Sequence, residues 1–166
     1  PQLTGRRVVR VINHALFLLN SEDSKNQQAY FKALGQQSNF LAKRWANEYA
    51  GLPRFEALTG LIYCGLALEG KDRFLKPAMK NLARQSLAYV DDNGAIPSRN
   101  PEELMDIFTT LAWAAHAIGE AGETPLRDHL LAMERIVPSL RALRLGDGGL
   151  AHFHGGGRGM EGRLDQ

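Results

Sequence analysis

Two histidines set one residue apart, His152 and His154, stand at the head of a glycine run, LGDGGLAHFHGGGRGMEG over 145–162. On an extended segment alternate side chains point the same way, so both imidazoles would face one ligand. Zinc would need a third and a fourth ligand at suitable spacing, and none is nearby in the sequence. The remaining readings are a catalytic histidine, a site for a sugar or an anion, or two exposed histidines on the rim of a fold. Gly155, Gly156, Gly157 and Gly159 surround Arg158 and would offer backbone N–H groups to an anion, or serve as a connector. The run lacks the Gly-Lys-Ser/Thr ending of a phosphate-binding loop and no strand precedes it, which argues against a nucleotide.

A second cluster lies upstream. Arg99 and Asn100, with Glu103 beyond them, combine a planar cation suited to a carboxylate with a helix start. Asn100 would cap that helix, Pro101 would hold its first position, and Glu102 and Glu103 favour its positive end. Asn13 and His14 are neighbours on a helix, about 100° apart, and read as a buried, satisfied polar pair. Trp45, Tyr49 and Trp113 are aromatic candidates for a sugar-stacking surface, although their helical spacing equally fits a core. His116 and His129 carry no motif. Cys64 is the single cysteine, so the chain has neither an internal disulfide nor a cysteine metal site. No cofactor is implied.

The elements that must position these residues are helical. Periodicity predicts six helices, over about 4–19, 25–49, 54–69, 72–90, 101–118 and 125–145, and no strand. Thr4 would cap the first and Pro138 would kink the last. The third helix is apolar nearly all round, with Gly60, Cys64 and Gly65 allowing close neighbours; the fifth is mostly apolar; the second, fourth and sixth are amphipathic. The turns Asp92-Asn93-Gly94-Ala95 and Asp147-Gly148-Gly149-Leu150 recur 55 residues apart, each after an amphipathic helix. Equivalent turns in a helical repeat share a rim. The fold expected is therefore all-α: inner apolar and outer amphipathic helices forming part of an α/α toroid, with a superhelical array of helix pairs as the competitor.

The bulk numbers agree with one globular domain. The chain has 166 residues, 44% hydrophobic and 23% charged, with a formal charge of +2. Lys and Arg are scattered rather than gathered on one face, which argues against nucleic acid. No apolar run approaches the ~18 residues of a membrane span. The first residue is not Met, and 163–166 read as the start of another helix, so the chain is expected to be a piece of a longer protein.

In order and spacing, several stretches resemble the heparinase II/III-like family, in a bacterial branch. They are Gly5-Arg6-Arg7-Val8-Val9 with Ile12-Asn13-His14-Ala15, Leu52-Pro53-Arg54-Phe55-Glu56-Ala57-Leu58, Asp92 to Pro101, and Gly146-Asp147-Gly148-Gly149-Leu150-Ala151 with Phe153, Gly155 and Gly156. The resemblance implies an N-terminal α/α toroid followed by a β-sandwich domain absent from this chain. It also implies a polysaccharide lyase acting by β-elimination on uronic-acid polymers, or a protein that binds acidic polysaccharide. Elimination needs the uronate carboxylate neutralised, and a base and an acid. The family's Tyr position after the Arg-x-Pro turn is held here by Glu103, and its Asn-Asn-His element is replaced by Glu48-Tyr49-Ala50-Gly51. The resemblance thus leaves His154, Glu103 and Tyr49 as catalytic candidates. Arg99, Asn100, His152, His154 and Arg158 are the candidates for binding substrate. The isolated chain is expected to be inactive without the second domain. The compartment, periplasm or cytoplasm, stays open. The reading from a different class is a non-catalytic helical-repeat module that binds a protein.

Overall fold

The computed structural model describes residues 1–20 and 23–157, and its described part is all-helical. Seven α-helices are present there: α1 (Gln2–Asn13), α2 (Ala15–Leu19), α3 (Ser24–Arg44), α4 (Leu52–Ala67), α5 (Leu75–Tyr89), α6 (Pro101–Glu120) and α7 (Arg127–Ala142). Two 3₁₀ turns, Trp45–Asn47 and Asp72–Phe74, extend the end of α3 and the start of α5. The only extended pairing among the described residues is an isolated antiparallel bridge between Arg144 and Leu150.

The first helix expected from sequence is two. At His14 the backbone leaves helical geometry (φ −101°, ψ 14°) and α2 starts afresh. The Tyr30 hydroxyl donates to the Val11 carbonyl at 3.0 Å, satisfying one of the acceptors that the end of α1 leaves open. Thr4 lies within α1 rather than at its cap. Asn13 and His14 are exposed, not the buried pair expected, because the break carries them to the surface. Asp23 caps α3, accepting from the Asn26 N–H at 2.8 Å.

The centre of the fold is α4. Every residue from Phe55 to Gly65 is buried, as its nearly unbroken apolar sequence demands. It packs against α1, α3, α5 and α6, while α7 packs on α5 and α6. This makes two layers: α1, α4 and α6 in one, α3, α5 and α7 in the other. The α1–α4 contact is backbone to backbone. A Cβ on Gly60 would stand 2.5 Å from the Gly5 Cα, and a Cβ on Gly5 would run into the Glu56 carbonyl. On the other side a Cβ on Gly65 would stand 3.1 Å from Leu75. Pro138 lies inside α7, which continues past it to Ala142.

Two short turns follow α5 and α7. In the first, Asp91 N–H donates to the Ala95 carbonyl and Gly94 N–H to the Asp91 carbonyl, both at 3.0 Å. In the second, Leu145 N–H donates to the Gly149 carbonyl at 2.8 Å and Gly148 N–H to the Leu145 carbonyl at 3.0 Å. The bonding aligns Gly94 with Gly148, both at positive φ, 76° and 81°. The repeat is thus 54 positions, one fewer than the composition of the turns suggests. Ile96 and Leu150, close behind the two glycines, both enter the core.

Candidate functional site

The two loops expected to share a rim do lie at one end of the helices. Asn100 caps α6, its side-chain oxygen accepting from the N–H groups of Glu102 at 2.9 Å and Glu103 at 3.2 Å. Those bonds leave the Glu102 carboxylate at the helix start, where it accepts from the Gly157 N–H at 2.7 Å. Gly156 packs so closely on Asn100 that a Cβ there would lie 2.5 Å from the side-chain oxygen. The glycines of the 155–157 run therefore seat the loop against α6. The α5 loop is tied down as well: the Ser139 hydroxyl donates to the Asn93 carbonyl at 2.7 Å, and Arg135 pairs with Asp92 at 2.6 Å.

What gathers there is a set of structural bonds. Asn100 and Glu102 spend their oxygens on backbone N–H groups. Arg99 is exposed, with a left-handed backbone (φ 53°). His152 and His154 are both exposed, and His154 sits at φ 52°, so the segment is not extended there and the alternation that would aim both imidazoles at one ligand is broken. His154 instead makes an edge-on contact with Phe153, ring centres 5.4 Å apart. Arg158 lies outside the described residues, as do Gly159 and the 163–166 segment expected to begin a helix. Among the described residues no three His, Cys, Asp or Glu side chains gather in a way that would hold a metal ion.

Glu103 has a partner that sequence reasoning missed. The Tyr89 hydroxyl stands 3.5 Å from its carboxylate, and the Tyr89 ring fills the space beside Gly51, whose φ is 94°. Burial, and then the Glu103 charge and hydrogen bond, push the Tyr89 phenol above its ordinary value. Tyr49, the phenol singled out from sequence, is 85% exposed.

A groove of about 670 Å³ opens elsewhere, over α4 with α1 and α6 as its walls. Arg6 of α1 reaches in to Glu56 of α4: its Nε lies 2.7 Å and its Nη2 2.6 Å from the same carboxylate oxygen, Oε1. Glu56 is only 7% exposed. Its second oxygen, Oε2, is buried without a hydrogen-bond partner, and so is the hydroxyl of Thr59, one turn further along α4. From α6, Asp106, Thr109, Trp113 and His116 line the opposite wall. The signal was present in the sequence: a lone glutamate inside an otherwise apolar helix must find a partner when that helix is buried.

No helix among the described residues is long and apolar enough to cross a membrane. No family model matches the chain, and no solved structure matches it. The chain is similar to FtsZ-localized protein C of Caulobacter vibrioides (strain NA1000 / CB15N), 33% identical over 97 residues. That stretch is 58% of this chain and 17% of the relative, so the chain spans about a sixth of the protein it resembles. This corrects the functional expectation. The relative is named for where it localises, not for polysaccharide elimination or binding.

Proposed function

We propose that this chain is a helical docking domain through which its parent protein is brought to FtsZ, which makes the parent a cell-division-associated protein. The observation that carries this reading is the 33% identity over 97 residues to a protein named for FtsZ localisation. A surface feature supports it. The short helix α2 presents Leu16 and Phe17 at 90% and 84% exposure, side by side, where an isolated domain gains nothing from two large apolar residues in water. Contacts between proteins use such anchors.

The test is a fluorescent fusion of the 166-residue chain imaged with FtsZ in Caulobacter vibrioides. Co-localisation is expected, and the Leu16→Ser/Phe17→Ser double variant should lose it. A diffuse signal from the unaltered, folded chain overturns the reading.

Within this reading the two layers form an arc of a larger α/α toroid of the heparinase II/III-like kind, with a β-sandwich domain elsewhere in the parent, used as a scaffold and not for sugar chemistry. The matched turns around Gly94 and Gly148, at one end of the helices, support it. A structure of the full parent tests it: the arc should continue with further helix pairs of the same two-layer order.

A further inference from the structure

The groove between α1, α4 and α6 lies apart from the docking role, and its geometry alone points to a ligand. Glu56 and Thr59 both line it, and each carries a buried oxygen with nothing bonded to it, Glu56 Oε2 and Thr59 Oγ1. Residues three apart on a helix share a face, so the two stand next to each other. Buried polar atoms in folded proteins are nearly always satisfied, and an unpaired buried carboxylate oxygen is among the costlier exceptions. Arg6 does not resolve it, because both of its N–H contacts fall on Oε1.

A group that satisfies these oxygens must be a hydrogen-bond donor. A carboxylate oxygen only accepts, so an anion entering the groove would set its charge against Oε2. An ammonium group fits the pair best: it carries three donors on one atom, enough to bond Oε2 and the Thr59 hydroxyl together. Bonds from a cation to a carboxylate are also the strong ones. The α6 wall adds to this preference. Trp113, 46% exposed, offers a ring face of the kind that attracts cations. Arg10 of α1 also lines the groove and is exposed.

We propose that this groove is a binding site for a primary ammonium group on an aliphatic stem, as in a lysine side chain, held by Glu56 Oε2 and Thr59 Oγ1 and flanked by Trp113. The stem would lie along Val9 and Met105, which also line the groove.

The experiment is a titration of the 166-residue chain followed by NMR at the Trp113 indole N–H and the Thr59 amide. The probes are N-acetyl-lysine methylamide, its norleucine analogue lacking the amine, and its 6-hydroxynorleucine analogue with a hydroxyl in its place. Saturable shifts are expected with the lysine compound, and binding about tenfold weaker or more with both analogues. Glu56→Gln should weaken the lysine compound by at least about tenfold. Because Glu56 also holds Arg6, Thr59→Val provides a variant that leaves the ion pair in place; a loss of about threefold is expected, one neutral hydrogen bond. Lys80→Ala, exposed on α5 and outside the groove, should bind as the unaltered chain does. No saturable shift with the lysine compound, equal binding of the norleucine analogue, or unchanged binding in Thr59→Val each overturns the proposal. Equal binding of the hydroxyl analogue overturns the requirement for charge.

Discussion

Gly94 and Gly148 occupy the same place in two turns built from the same hydrogen bonds, yet their surroundings differ. Gly94 is pressed against the Arg135 carbonyl and the Ser139 hydroxyl of α7, whereas nothing lies within 4 Å of where a Cβ on Gly148 would be. Both have the left-handed backbone that L side chains rarely adopt.

Alanine at the two positions separates conformational strain from packing. Gly148→Ala should cost about 1 kcal/mol, the strain alone. Gly94→Ala adds a collision with backbone and should cost about 3 kcal/mol. Urea unfolding of the two variants checks the difference.

The α1–α4 contact gives a second comparison. Gly5→Ala and Gly60→Ala each place a methyl group into the facing backbone and should destabilise by about 3 kcal/mol. Gly35, in the interior of α3, meets only the Lys71 Cε at 3.9 Å, an ordinary contact. Gly35→Ala should therefore stabilise by about 0.5–1 kcal/mol through helix propensity. Thermal and urea unfolding should place Gly35→Ala above the unaltered chain and the other two below it.

His129 is buried in α7 with its Nε2 3.0 Å from the Leu111 carbonyl. Burial lowers its pKa, with the hydrogen bond opposing, so the folded chain holds it neutral where an unfolded chain begins to take up a proton. The stability it supports is present above the ordinary histidine value and is lost as pH falls through that value toward the depressed folded one. The slope from this one group is at most about 1.4 kcal/mol per pH unit. Unfolding free energies measured from about pH 8 down to about pH 5 should fall in this way, and His129→Gln should flatten the curve.

Cys64 is fully buried in α4, and burial pushes its thiol up to about 12. The thiolate is the reactive form, so a disulfide reagent at about pH 8 should label the native chain about a hundredfold more slowly than the urea-unfolded chain. Equal rates would mean that α4 is not covered on all sides.

Periodicity exposed the helical class, the buried α4 and the cap at Asn100, because those follow from local pattern. It also paired the two glycine turns, but off by one, since composition aligns Asp92 with Asp147 while hydrogen bonding aligns Asp91 with Leu145. The break at His14 was hidden because the bond that accommodates it comes from Tyr30, on another helix. The imidazole pair failed for a local reason that sequence does not print: a left-handed residue at His154. Arg6 and Glu56 lie fifty positions apart, so only packing could disclose their pairing.

The Gly5–Gly60 contact also bears on the order of assembly. α1 precedes α4 in the chain, but its tightest contacts are with α4. Its tightest contacts close a loop of about fifty residues, and loop closure carries an entropic cost that grows only slowly with length. The contacts of α4 with its sequence neighbours α3 and α5 close shorter loops, so α4 is expected to gain that cover before α1 docks. In native-state hydrogen exchange α1 should therefore open at lower free energy than α4.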